Sequence, residues 1–186
     1  MPHRVCPFWI GYLLASPLRR FFYKPEVLLG PYIKSGITVL DIGCAMGFFS
    51  LPAAKLTGDR GKVICVDLQQ RMLLRLRRRA ERAGLMEQIE LREATPDSLT
   101  IDDLQQKVDF ALAFAVVHEL PNPGKSFAEI FQALKPNSFL LFAEPSGHIP
   151  ENDFQHSVSL AERNGFAVKS RLTISRSHAV LLKRPA

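Results

Sequence analysis

The chain has 186 residues, 47% hydrophobic and 23% charged, with a formal net charge of +6; that suits one packed domain with little room for a second and excludes a low-complexity chain. No run of about 18 uninterrupted apolar residues is present, so no membrane-spanning helix is expected. The cysteines, Cys6, Cys44 and Cys65, are widely spaced with no CxxC pair, which points to a reducing, cytoplasmic setting and not to a disulfide framework.

Residues 1–35 read differently from the rest and are set apart as an N-terminal helical lid or arm, ahead of a domain over 36–186. They are rich in aromatics, among them Phe8, Trp9, Tyr12, Phe21, Phe22, Tyr23 and Tyr32, and are broken by Pro7, Pro17, Pro25 and Pro31. Short helices are predicted over 8–15 and 25–33, the second starting near Pro25, because proline suits a first helical turn. The apolar run from Phe8 to Ala15 is short and lacks the small-residue cleavage site of a signal peptide. His3 and Cys6 are too few ligands to claim a metal.

From Ile37 the pattern turns regular. A first strand runs to Ile42, followed by a small-residue turn and a helix over about 47–57. A second strand, Lys62 to Val66, ends in Asp67. A helix over 69–83 carries Leu73, Leu76, Ala80 and Ala83 on one stripe. It also carries Arg71, Arg75, Arg77, Arg78, Arg79 and Arg82, read as a solvated face, although such charge also attracts polyanions. A third strand covers Ile89 to Arg92, and a fourth, Val108 to Val116, is almost continuously apolar, as in strands covered on both faces. A helix over 124–135 has Phe127, Ile130, Phe131 and Leu134 at helical spacing and stops before Pro136. A fifth strand, Ser138 to Ala143, leads to a helix over 151–164 that ends at Gly165. Phe166 to Ile174 and His178 to Lys183 are separated only by Ser175-Arg176-Ser177, so they must pair as an antiparallel hairpin. Five βα units and a terminal hairpin predict an α/β fold. Its sheet is doubly wound, seven-stranded and mostly parallel, with helices on both faces. Ligands on such sheets bind at the carboxyl ends of the strands, where strand order reverses.

Three consecutive strand tips each carry a carboxylate. The first reads Asp41-Ile42-Gly43-Cys44-Ala45-Met46-Gly47, an acid followed by small residues that let the backbone pass close to a ligand. The second ends in Asp67, suited to the two hydroxyls of a ribose, although it could also cap the following helix. The third ends in Glu93-Ala94. Asp41, in turn, could hold a cationic amine.

From Ile37 to Lys183 the sequence resembles the class I methyltransferases that use S-adenosylmethionine. The first-strand loop matches that family's acid-x-Gly-x-Gly-x-Gly motif, with Ala45 in place of the middle glycine. The resemblance implies a cofactor site of Asp41, Gly43, Cys44, Ala45, Gly47, Asp67, Leu68, Glu93, Ala94 and Ala115, with S-adenosylhomocysteine as product. Asp109 to Leu120 matches the fourth-strand motif, and the Leu134-Lys135-Pro136-Asn137 turn matches the one before strand five. The hairpin end also looks like that family's, and the resemblance implies a last strand lying inside the sheet. A nicotinamide dinucleotide enzyme is disfavoured, because Gly43-x-Ala45-x-Gly47 does not follow Gly-x-Gly-x-x-Gly.

Methyl transfer from a sulfonium needs alignment and exclusion of water, and a base only where the acceptor must lose a proton early. His118, just past the fourth strand, is the candidate base, with a wall or backbone-bonded role as the plainer alternative. Glu119 could orient it, and Glu144 and His148 could also face the acceptor. Cys44 is read as a small residue that fits the loop. Ala115-Val116-Val117-His118 replaces the Asn/Asp-Pro-Pro-aromatic turn associated with exocyclic amino methylation. No appended nucleic-acid domain is read in the chain, so the acceptor is expected to be a small molecule. A silent cofactor-binding module and an RNA-directed methyltransferase are the alternatives.

Overall fold

The computed structural model describes residues 23–186. The helix expected over 8–15, the basic aromatic stretch before Tyr23 and the His3/Cys6 pair lie outside the described residues. The first described element is α1 (Pro25–Leu29), with Pro25 in its first turn, shorter than the helix expected over 25–33.

The sheet contains β1 (Thr38–Ile42), β2 (Lys62–Asp67), β3 (Ile89–Glu93), β4 (Val108–Phe114), β5 (Leu134–Pro145), β6 (Ala167–Arg171) and β7 (Ser177–Lys183). They lie in the order β3-β2-β1-β4-β5-β7-β6. β1 pairs in parallel with β2 and with β4, β2 with β3, and β4 with β5. β7 is antiparallel to both β5 and β6, so the hairpin folds back with its second strand inside the sheet, as expected. Order reverses between β1 and β4, and that is where the ends of neighbouring strands part.

Alternating side chains divide the core in two. Leu40, Ile42, Ile64, Val66 and Phe142 face one side, under α4 (Pro123–Ala133) and α5 (Glu151–Arg163). Val39, Val63, Cys65, Phe110 and Leu141 face the other, under α1, α2 (Ser50–Thr57) and α3 (Gln70–Ala83). On α3 the buried stripe is Met72, Leu73, Leu76 and Ala80, while Ala83 is exposed.

Three boundaries depart from expectation for local reasons. β4 ends at Phe114 because Ala115 turns into the left-handed region, φ 58. β5 begins at Leu134, directly after α4, because Leu134 is already extended (φ −67, ψ 145) ahead of Pro136. The β3–β4 connection is not a helical unit; it holds only a 3-10 turn, Asp102–Leu104. Thr95-Pro96-Asp97-Ser98 is turn chemistry with no helical apolar period, and the segment is pinned instead by buried Leu99, Ile101 and Leu104 and by the Leu99 amide donating to Glu129 at 2.7 Å.

Candidate functional site

A cleft opens over the ends of β1, β2 and β4. Gly43, Ala45, Asp67, Leu68, Ala94 and Ala115 line it, six of the positions singled out from the sequence. Val66, Met72, Leu99 and Leu120 supply apolar wall. Asn122, Lys125 and Ser126 close one side at the start of α4, where Asn122 Oδ1 accepts from the Lys125 amide at 3.0 Å with Pro123 in the first turn. This wall is absent from the positions that the strand tips suggest; the Pro121-Asn122-Pro123 triplet, a capping residue between two prolines, is the sequence signal that marks it.

Asp67 is the polar centre of the cleft. Its Oδ1 accepts from the Gln69 amide at 2.8 Å and its Oδ2 from the Ala45 amide at 2.9 Å. Burial raises its carboxyl above the usual range, against the two backbone bonds that lower it. A carboxylate accepts about four hydrogen bonds, so one site on each oxygen is left for a pair of neighbouring hydroxyls. Asp67 therefore orders the chain entering α3 and lines the cleft at once; the helix-start and ligand readings are not exclusive.

Asp41 sits elsewhere. It is 4% exposed, and its Oδ2 accepts from the Ser50 hydroxyl at 2.6 Å beneath the start of α2. The cause is strand parity: Ile42 faces the cleft, so its neighbour Asp41 faces the α1–α2 layer. The start of α2 is also later than expected, at Ser50, and that residue is fully buried, so the first turn of the helix does not line the cleft.

The two glycines of the loop serve different neighbours. A Cβ on Gly43 (φ 68) would lie 2.4 Å from Val116 Cγ2, a residue of the cleft wall. A Cβ on Gly47 (φ 82) would lie 2.2 Å from Leu76 Cδ1 of α3. Gly43 thus lets the loop pass under the cleft wall, and Gly47 lets it pack on a helix away from the cleft. Ala45, between them, holds φ 46 without being glycine. The loop is also held from α3: half-buried Arg79 donates to the Met46 carbonyl, and burial lowers its guanidinium from the ordinary value. One arginine of the basic cluster is therefore structural, while Arg71, Arg75, Arg77, Arg78 and Arg82 are exposed. Cys44 is 4% exposed, and burial together with Cys65 pushes its thiol well above its ordinary value, which leaves it an inert space-filler.

Glu93 is exposed and does not line the cleft, whereas its neighbour Ala94 does and donates its amide to the Asp67 carbonyl at 3.0 Å. Asp109, at the far end of β4, is a latch: Oδ2 accepts from the Thr38 amide at 2.9 Å and Oδ1 pairs with Lys135 at 2.6 Å.

His118 lies beside the cleft on a 3-10 turn, Val117–Glu119, that follows Ala115. Its close partner is Glu144 at the end of β5, not Glu119. Nδ1 is 2.7 Å from Glu144 Oε2, and the His118 amide donates to Oε1 at 3.1 Å. Glu119 Oε1 stands 3.7 Å from Nε2, and the His148 ring is edge-on at 5.3 Å. Burial pulls the imidazole down and the Glu144 bond and charge, with Glu119, push it up; the net is upward from 6.5. Nothing local in the sequence links His118 to Glu144, 26 residues apart; the β4–β5 register, Phe114 opposite Ala143, does so.

Among the described residues no helix is long and apolar enough to cross a membrane, and no group of three or more His, Cys, Asp or Glu is placed to hold a metal ion.

Residues 33–174 match the methyltransferase-domain family. The chain is 29% identical over 139 residues, 75% of its length, to a ubiquinone biosynthesis O-methyltransferase from Bradyrhizobium diazoefficiens, and covers 51% of that protein. It is 27% identical over 128 residues, 69% of its length, to a demethylmenaquinone methyltransferase from Lactobacillus johnsonii, and covers 49% of it. The chain thus spans about half the length of these curated relatives. Its fold superposes on the crystal structure of a SAM-dependent methyltransferase from Aquifex aeolicus with a TM-score of 0.86 at 22% identity, over 97% of this chain and 100% of that one.

Proposed function

This chain belongs to the class I S-adenosylmethionine-dependent methyltransferases, and from that membership we propose that it methylates a small organic molecule in the cleft over β1, β2 and β4. The observation that carries the reading is Asp67, a carboxylate on the cleft wall with acceptor capacity left for two hydroxyls. In this reading Asp67 holds the ribose and Leu68 packs beside it. Gly43, Ala45 and Ala115 line the path of the amino-acid end and the sulfur. Ala94, Leu99 and Leu120 enclose the adenine. Asp41, Cys44 and Gly47 act one layer back, shaping the loop, and Glu93 stands exposed outside the cleft beside Ala94, which lines it. S-adenosylmethionine, when bound, supplies a methyl group on a sulfonium that leaves as a neutral thioether. The protein's share is to align the acceptor, exclude water and hold both partners still.

The small-molecule reading draws on the quinone-biosynthesis methyltransferases among its relatives and on the segment before β1. Tyr23, where the described chain begins, lies edge-on to Phe114 at 5.2 Å and bonds the Ser177 hydroxyl at 3.2 Å. That contact is at the ends of β4 and β5, so Tyr23 is assigned to the acceptor side of the site. Arg71, Arg75, Arg78 and Arg82 follow one another along the exposed side of α3 and support RNA as a second reading.

Calorimetric titration with S-adenosylhomocysteine, S-adenosylmethionine and NADH tests the cofactor assignment. Micromolar binding of the first two alone is expected, and a folded sample that binds neither would overturn it. Tritiated methyl transfer into metabolite and RNA fractions then separates the two acceptor readings. Binding without any transfer would make the chain a silent module.

A further inference from the structure

We propose that His118 is a proton acceptor positioned by Glu144, and that the methyl acceptor is accordingly a weakly acidic hydroxyl on a small molecule. This rests on the reading of the cleft as the S-adenosylmethionine site.

Glu144 is 1% exposed, and both its oxygens are committed to one residue, Oε2 to the His118 ring and Oε1 to the His118 amide. A buried carboxylate accepts and does not donate when ionised, so Nδ1 must carry the proton. The lone pair is then on Nε2, the nitrogen not taken by Glu144. The clamp also fixes the ring, because a side-chain bond and a backbone bond from the same residue leave it little freedom to swing. A base held by a second group is the arrangement that proton abstraction uses.

The surrounding charges support the same role. Glu119, 3.7 Å from Nε2, stabilises the imidazolium that forms when a proton arrives. His148 bounds the ring edge-on from the loop after β5. His178, opposite Glu144 in the β5–β7 register, is engaged by Glu151 at 2.6 Å and by the Ile149 carbonyl at 3.1 Å. It therefore does not compete for Glu144.

A fixed base selects the acceptor chemistry. A neutral amine attacks through a lone pair it already has and sheds its proton afterwards. A thiol, with an ordinary pKa of about 8.5, ionises near neutrality unaided. A phenolic hydroxyl, at about 10, needs its proton removed as it attacks. In the step proposed, the hydroxyl proton passes to Nε2 as the oxygen forms its bond to the methyl carbon. The carbon–sulfur bond breaks with its electron pair left on sulfur, and the imidazolium then releases its proton to water.

The test reads the dyad directly and independently of turnover. In protein labelled with 15N-histidine, long-range proton–nitrogen NMR should find His118 with its proton on Nδ1 and a titration midpoint above that of free imidazole. Glu144→Gln offers an amide N–H to Nδ1, so the proton should move to Nε2 and the midpoint should fall. Glu144→Asp should recover part of the shift, which a loss of packing alone would not allow. S-adenosylhomocysteine affinity should stay within twofold in all three proteins. With labelled S-adenosylmethionine and catechol, aniline and thiophenol as probes, transfer should go to catechol and fall by about 100-fold or more in Glu144→Gln and His118→Gln. An Nε2–H tautomer in the unsubstituted protein, transfer to catechol undiminished in His118→Gln, or transfer to aniline or thiophenol in preference to catechol overturns the proposal. Absent S-adenosylhomocysteine binding with the NMR result intact would instead strike the cleft reading and leave the dyad standing.

Discussion

The backbone amide of Ala45 donates to Oδ2 of Asp67 at 2.9 Å, tying the loop after β1 to the side chain at the tip of β2. The two elements that form the centre of the cleft are thus one hydrogen-bonded unit before any ligand arrives. Ala45 holds its end of that bond from φ 46, a conformation that costs an L-residue about 1–2 kcal/mol.

Ala45→Gly should therefore stabilise the fold. Relief of the left-handed strain exceeds the roughly 0.5–1 kcal/mol of extra chain entropy that glycine loses. A net gain of about 0.5–1 kcal/mol is expected, read as a higher urea midpoint at unchanged slope. A lower midpoint would mean that the loop is not strained at this residue.

Asp67→Ala should weaken S-adenosylhomocysteine binding by about 1–3 kcal/mol, or roughly 5- to 150-fold in Kd. The loss combines direct contacts with the freeing of the Ala45 and Gln69 amides. Calorimetry at fixed pH measures it, and an unchanged Kd would remove Asp67 from the site.

Asp109→Ala should do the reverse, lowering stability by about 1–2 kcal/mol with cofactor affinity intact. Its carboxylate bonds the Thr38 amide and Lys135 at the end of the strands opposite the cleft. Thermal unfolding and calorimetry on the same sample separate the two effects. Tighter or weaker cofactor binding would mean that strain passes along β1 to the loop.

The His118–Glu144 pair should make stability and activity respond oppositely to pH. The His118 pKa is raised in the folded chain, so its contribution to stability is complete below the ordinary imidazole value and is lost as pH climbs through the raised one. His118→Gln should then cost more at pH 5.5 than at pH 9, by on the order of 1 kcal/mol, the margin of a charged hydrogen bond over a neutral one. A base must be neutral to accept a proton, so transfer to a hydroxyl should rise over the same interval. Equal costs at the two pH values would show that the pair does not titrate.

Much of the fold is legible because the chain announces its strands. The apolar runs of β1, β2 and β4 and the short Ser175-Arg176-Ser177 link dictate the sheet type and the hairpin. Asp67, Ala94 and Ala115 follow from being at strand tips. Asp41 misleads because a strand apolar on both faces hides its parity, and only the fold reveals that Ile42 takes the cleft side. Glu144 reads in the sequence as a residue that could face the acceptor, but its grip on His118 depends on two strands coming into register. Arg79 is one basic residue among several along the chain, and burial alone singles it out.

The interior place of β7 has a consequence for how the protein is made. On a ribosome α1 to α5 and the first six strands emerge before β7, so the apolar edge of β5, Leu140 to Ala143, stays open until β7 is synthesised. β6, whose sheet partner is β7, must wait beside it without a ladder. An unpaired hydrophobic edge is a template for association with other chains. Chains in which β6 has left the ribosome and β7 has not are the ones a chaperone would have to shield.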